Sequence, residues 1–261
     1  MANAINAFGV SDIGCRRQKN EDTFLLHRQI SESADRSTLS AQAGSGADGL
    51  FLAGVFDGIG SGGNGDRASR TAAGVFQKLS RQDAQAEMDI QIRRGFQEAN
   101  NEIVRLRKTI SVAGTTGTVL AIYRNACKIY HMGDSRAYLH RDGQMFQLTR
   151  DQTLAQMKIE LGLYEAGDAR AKLESHLLTD YIGRDTARTQ AAPAESQWIP
   201  LQSGDRLLLC SDGLYGMCEP GQIREVLNRR EGPESSALAL VAAAKEQGGE
   251  DNITCVVVAI P

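Results

Sequence analysis

Residues 117–147 read GTVLAIYRNACKIYHMGDSRAYLHRDGQMFQ, and this stretch decides the fold class. Four runs, Gly117–Tyr123, Ala126–His131, Ala137–His140 and Gln144–Gln147, have strand length and alternate or cluster their apolar residues as strands do. Arg124-Asn125 and Arg141-Asp142-Gly143 break the runs, and both breaks have the length and chemistry of hairpin turns. Parallel neighbours need a crossover of roughly a dozen residues or more, so strands joined this closely are antiparallel.

Working outward, the pattern repeats. Ile5–Ser11, Thr23–His27 and the apolar Gly49–Phe56 read as strands upstream, and Gln197–Pro200, Arg206–Cys210 and Ile253–Ile260 as strands downstream. Helical spacing marks Ala-rich Arg67–Leu79 and Ile90–Lys108, where Ile92, Phe96, Ile103 and Leu106 share a face. Thr153–Leu173 and Ser235–Glu246 are also expected to be helical. Ile30–Gly49 is polar and rich in Ser, Ala and Gly, so it is expected to be a loop, as is glycine-dense Gly58–Gly65. Strands in hairpin runs with helices grouped between them imply an α+β fold with antiparallel sheets. No internal repeat and no Pro- or Gly-rich linker divides the chain, so residues 1–261 are expected to form one domain.

Composition excludes several functions. A net charge of -3 gives no bulk attraction to nucleic acid or to an anionic membrane. No apolar stretch is long enough to span a bilayer, and Met1 is not followed by a basic segment and an apolar run, so a cytoplasmic protein without a signal peptide is expected. Cys15, Cys127, Cys210, Cys218 and Cys255 show no CxxC spacing and read as reduced thiols. His27, His131, His140 and His176 are scattered, which argues against a zinc site.

The candidate chemistry lies at strand ends. Leu50–Phe56 runs into Asp57-Gly58, Lys128–Met132 into Gly133-Asp134, and Leu207–Ser211 into Asp212-Gly213; Asp251 just precedes the last strand. Any one Asp-Gly pair is an ordinary turn signal. Four together point further, because strand-end aspartates can converge at one sheet edge, where they repel unless cations lie between them. Oxygen ligands select magnesium, manganese or calcium over zinc or copper. A glycine beside such a ligand lets the Gly58 carbonyl approach as well. Ser11–Asp22, SDIGCRRQKNED, adds arginines beside Glu21 and Asp22. Guanidinium suits phosphate because it binds two oxygens in a fork.

These segments occur in an order that resembles the metal-dependent protein phosphatases, the type 2C Ser/Thr phosphatases, in their bacterial form. The resemblance rests on SDIGCRRQKNED at Ser11–Asp22, VFDGIGSGG at Val55–Gly63, GTTGTVL at Gly114–Leu120, HMGDSRAYLHRDG at His131–Gly143, LTRDQT at Leu148–Thr153, LLLCSDGLYG at Leu207–Gly216 and GEDNITCVVV at Gly249–Val258. It implies a four-layer α-β-β-α sandwich, with two antiparallel sheets between helical layers. It also implies two Mn²⁺ or Mg²⁺ ions, with Asp57 bridging, the Gly58 carbonyl on one ion, Asp212 and Asp251 on the other, and Glu21 acting through bound water. A third, weaker ion is implied between Asp134 and Asp212. Arg17, three residues before Asn20, matches the phosphate-binding arginine, whereas Arg16 does not. Asp22 and Asn252 are implied to support the ligands from behind.

The resemblance implies direct attack of activated water on the phosphorus of phosphoserine or phosphothreonine, with no phospho-enzyme. The substrate is then a phosphoprotein, either a Ser/Thr kinase or its target, and in some relatives a forkhead-associated domain protein; a monomer is expected. A catalytically weak regulatory module, or a hydrolase of another phosphoester, is the alternative. The chain departs from the family at Ile59, where many members carry a histidine that can act as general acid. It departs again in the extra glycines of Gly60–Asp66, and at Gln152-Thr153, where the family often has His-Ser. Leu154–Thr179 corresponds to the family's flap, and its sequence says nothing about substrate.

Overall fold

Strands with apolar side chains on both faces set the layering. In Phe51–Phe56 every residue is buried: Phe51, Ala53 and Val55 join one core cluster, and Leu52 and Phe56 another. Successive strand residues point to opposite sides, so such a strand must be covered on both. The computed structural model describes residues 4–44, 49–60, 63–80, 87–111, 114–165, 167–185 and 191–261.

The first part of the chain forms β1 (Ala4–Asp12), β2 (Thr23–Leu26), β3 (Gln29–Ile30), β4 (Arg36–Gly44), β5 (Phe51–Phe56) and β6 (Gly58–Ile59), then α1 (Gly65–Leu79) and α2 (Met88–Leu106). The hairpin run follows as β7 (Gly114–Thr115), β8 (Gly117–Tyr123), β9 (Ala126–Met132), β10 (Arg136–Arg141) and β11 (Gln144–Gln147). The remainder comprises α3 (Leu154–Glu160), α4 (Ala169–Glu174), β12 (Ala194–Glu195), β13 (Ile199–Pro200), β14 (Arg206–Cys210), α5 (Asp212–Tyr215), α6 (Pro220–Asn228), α7 (Pro233–Glu246) and β15 (Ile253–Ala259).

One sheet has the order β11-β10-β14-β15-β1-β4, and the other β12-β9-β8-β5-β2-β3 with β13 also paired to β9. Every pairing is antiparallel. The inner faces meet in a core that includes Phe24, Phe51, Leu120, Leu139, Leu207 and Val256. α1 and α2 cover the outer face of the second sheet, where Phe76 stacks on Phe56 with ring centroids 5.7 Å apart and meets Phe96 edge to face at 5.0 Å. α5, α6 and α7 cover the first sheet through Leu214, Ile223, Leu227, Leu240 and Val241 against Leu208 and Val257. The four-layer arrangement is therefore present, with three apolar interfaces between its layers.

Three expectations change. Ile30–Gly49 is not a loop: Arg36–Gly44 pairs with β1 along its whole length, from Asp12↔Arg36 to Ala4↔Gly44. Its small polar side chains face partly to solvent because β4 is an edge strand, and the backbone ladder to β1 holds what side-chain propensity does not. Residues 45–48 of that segment lie outside the described residues. Thr153–Leu173 is two short helices, since Gly162 and Gly167 between them take φ of +70° and +90°. Gly58–Gly65 is not all loop: Gly58 and Ile59 pair with Thr115 and Gly114, while residues 61–62 lie outside the described residues. α5 and α6 had no expectation. Four to nine residues give too few turns for a periodic signal, although Glu219-Pro220 and Gln222 form a capping box at the start of α6.

Candidate active site

The strands that carry the aspartates end at the same edge of the sandwich. Asp57 follows β5, Asp134 lies between β9 and β10, Asp212 follows β14 at the start of α5, and Asp251 precedes β15. All four line one cleft of ≈ 220 Å³, together with Arg17, Glu21 and Gly58. The other two expected residues, Asp22 and Asn252, are buried behind the cleft.

Each carboxylate is set by backbone geometry. The Asp57 N–H donates to Thr116 Oγ1 at 3.0 Å, and the Asp57 carbonyl accepts from the Thr116 N–H at 2.8 Å and the Thr115 hydroxyl at 2.7 Å. The turn is thereby clipped to the β7–β8 junction. Gly58 then passes against Gly65, and a Cβ on Gly58 would lie 2.4 Å from the Gly65 carbonyl group and 2.6 Å from the Glu21 carbonyl oxygen. No side chain fits there. Glu21 Oε1 accepts from the Gly65 N–H at 2.8 Å, so Glu21 also receives the first turn of α1.

Asn252 holds the loop between β1 and β2. Its Oδ1 accepts from the Glu21 N–H at 2.8 Å, and its amide donates to the carbonyls of Ile13 and Lys19, each at 3.0 Å. Asp22 accepts from the Ser211 hydroxyl at 2.8 Å and so joins β2 to the end of β14. The Tyr215 hydroxyl donates to the Asp134 carbonyl at 3.1 Å, while its ring lies 3.7 Å under the Arg136 guanidinium, which Asp151 binds through both oxygens. Arg17 reaches across the cleft, with its Nη2 donating to Asp251 Oδ2 at 2.6 Å.

The electrostatics are those of anions crowded without enough positive charge. Burial, and then the charges of Asp22 and Asp212, push the Asp57 carboxyl well above the ordinary carboxylate range. Burial and Asp251 push Asp212 up. Burial and Asp212 raise Asp134 to about 7. Asp22, fully buried, rises to about 8, chiefly through burial. Asp212 Oδ1 is buried and has no hydrogen-bond partner in the protein. Among the described residues no three acidic, histidine or cysteine side chains meet as a preformed metal cage, and Arg17 spans to Asp251 instead. The donor set still fits a divalent cation: it is all oxygen and anionic, and it holds one buried carboxylate oxygen left without a partner.

Thr116, His176 and Leu178 also line the cleft. Thr116 had a signal, since it sits within GTTGTVL, but its task of clipping the Asp57 turn depends on a register that spacing alone does not give. His176 and Leu178 had none. They come from the flap segment, and only the folded chain brings them into one cleft with Asp57.

A family model for protein phosphatase 2C matches residues 6–158. The serine/threonine phosphatase stp of Listeria innocua is 29% identical over 211 residues, which span 78% of this chain and 82% of that protein. The catalytic domain of the serine/threonine protein phosphatase PstP in complex with two manganese ions superposes with a TM-score of 0.76 at 25% identity, over 98% of this chain and 99% of that one. The Ser-Thr phosphatase MsPP of Mycobacterium smegmatis in complex with cacodylate gives a TM-score of 0.76 at 28% identity, over 98% of each chain.

Proposed function

The chain belongs to the protein phosphatase 2C family, and from that premise we propose that its cleft hydrolyses phosphoserine and phosphothreonine in proteins, in the service of signalling that a Ser/Thr kinase drives. The observation that carries this reading is the convergence of four strand-end aspartates and Arg17 on one cleft. Asp57 and the Gly58 carbonyl, with Glu21 behind bound water, would hold one divalent cation. Asp57, Asp212 and Asp251 would hold a second, and Asp134 with Asp212 a weaker third. Manganese or magnesium bound there supplies a water of lowered pKa and positive charge facing the phosphoryl oxygens.

The protein's own residues do the rest. Asp251 cannot give one oxygen fully both to Arg17 and to a cation, so with Asp251 serving a cation the Arg17 fork would be available to two phosphate oxygens. Charge that develops on the equatorial oxygens is then met by a guanidinium fixed beside the reacting phosphorus. Asn252 keeps that arginine in register by bonding both flanks of its loop, Ile13 on one side and Lys19 and Glu21 on the other. No helix among the described residues is long and apolar enough to cross a membrane. We assign the chain to the cytoplasm as a single-domain monomer acting on a kinase or a kinase target, of which a forkhead-associated domain protein is one form.

Chelation tests the reading. Protein stripped with EDTA should lose hydrolysis of a phosphoserine peptide and regain it with Mn²⁺ or Mg²⁺. Undiminished turnover in the stripped protein would overturn it, and turnover of a nucleotide phosphoester alone would favour a different substrate class.

A further inference from the structure

Expelling a serine oxygen from phosphorus requires a proton, and the position where many relatives carry a histidine is Ile59, which has none to give. The cleft narrows the alternatives. The carboxylates assigned above to cations carry no proton when so bound, and Glu21, which accepts from the Gly65 N–H at 2.8 Å, is assigned to a cation-bound water as acceptor. Arginine does not release its proton in proteins, which removes Arg17. The Thr116 hydroxyl is engaged by the Asp57 N–H at 3.0 Å and by the Ser135 hydroxyl at 2.7 Å, and an aliphatic hydroxyl is no stronger an acid than the serine it would have to protonate. Of the described side chains that line the cleft, one proton donor is left, His176.

The fold also holds His176 in place. The Leu154 N–H donates to the Leu177 carbonyl at 2.8 Å, and the Thr179 N–H donates to the Gln152 carbonyl at 2.8 Å. Gln152 in turn accepts from the Gly133 N–H through Oε1 at 2.7 Å, beside Asp134. Farther on, Thr115 and Ile182 exchange both backbone hydrogen bonds at 2.9 Å, next to the clip that sets Asp57. The segment bearing His176 is thus fastened to Gln152, beside Asp134, and to Thr115, beside Asp57, while His176 itself is exposed.

We propose that His176 is the general acid, a role moved from the position of Ile59 to the Leu154–Thr179 segment, which lines the same cleft. The assignment rests on the phosphatase reading above. The oxygen of the attacking water forms its bond to phosphorus and its proton passes to solvent. The P–Oγ bond breaks with both electrons left on Oγ, and the imidazolium N–H proton moves to that oxygen. His176 then takes a proton from solvent. The sum is phosphoserine plus water giving serine plus hydrogen phosphate.

The test uses leaving groups of rising basicity on the Mn²⁺-loaded protein: p-nitrophenyl phosphate, phenyl phosphate and a phosphoserine peptide. For His176→Gln the loss of kcat should grow along the series, from less than about threefold for p-nitrophenol to about a hundredfold for serine, within the usual range for a positioned acid. Ile59→His placed in the His176→Gln background should restore at least part of the peptide rate. Equal loss on all three substrates, without rescue, would show that His176 only shapes the cleft. No loss on the peptide would show that another donor serves. Either result overturns the assignment. Activity on p-nitrophenyl phosphate that disappears with EDTA, in the variant as in the wild type, keeps the phosphatase reading intact in both cases.

Discussion

The floor and the far wall of the cleft are built by opposite means. The floor is rigid backbone: strand ends buried between the sheets, each carboxylate placed by a turn that neighbouring strands clip, as Thr115 and Thr116 clip Asp57. The wall is the segment of His176 and Leu178, which follows two short helices, α3 and α4, that leave Leu161, Leu163 and Leu173 at least 60% exposed. The floor spends stability by crowding like charges, and the wall gains little by burying almost nothing. The crowded carboxylates are placed where the structure cannot yield, and the proposed acid, His176, on a segment that backbone bonds hold with little burial.

The sharpest way to break this contrast is to neutralise the floor. Asp57→Asn keeps the side chain's shape and removes one charge from a cluster that burial already disfavours. Turnover should fall to background on every substrate, while the melting temperature in EDTA rises, because less like charge is buried. A variant with lower stability in EDTA would show that the carboxylates are not in conflict.

That contrast also governs what the sequence could disclose. The floor was legible because its residues belong to short local patterns, a strand followed by Asp-Gly, and their convergence follows once the strands are antiparallel. Of the adjacent Arg16 and Arg17, Arg17 alone lines the cleft. The wall was not legible. His176 faces the cleft only through backbone bonds between residues more than twenty positions apart, and nothing in Leu154–Thr179 marks it. β4 was missed for a related reason, since an edge strand of serine and alanine is held by a ladder to β1 and not by side chains that a pattern would reveal.

A smaller effect should appear behind the floor. His131 lies at the end of β9, and its Nε2 accepts from the Arg150 N–H at 3.1 Å, in the segment that brings Asp151 to Arg136. Burial lowers its imidazole to about 4. Between roughly pH 6.5 and 4 the unfolded chain therefore holds a proton that the folded chain lacks. Stability from this group is complete above about pH 6.5 and is lost as pH falls, by up to about 3 kcal/mol. In EDTA the raised Asp22 and Asp134 carboxyls act in the opposite direction over the same range, so melting curves read the contribution as a difference: the stability of His131→Asn relative to the wild type should rise as pH falls. A difference that does not change with pH would place the acid sensitivity elsewhere.

Arg17 stands between floor and wall. Arg17→Lys keeps the charge but loses the fork, so inhibition by product phosphate should weaken by about 1–3 kcal/mol. Manganese affinity should not fall, because the bond from Arg17 to Asp251 competes with a cation for that carboxylate. Loss of manganese binding with unchanged phosphate inhibition would reverse the two roles. The smallest effect belongs to the wall: Leu173→Gln, at a side chain 73% exposed, should shift stability by less than about 0.5 kcal/mol and leave p-nitrophenyl phosphate turnover intact. A large loss of stability would mean that the wall packs as tightly as the floor.

The claim beneath all of these is that the strand-end carboxylates exist to hold cations. Isothermal titration of Mn²⁺ into stripped protein tests it without reference to catalysis. The wild type should bind two ions tightly, and Asp57→Asn, which removes the shared bridge, should bind neither with comparable affinity. Two ions bound equally well by both proteins would contradict the account.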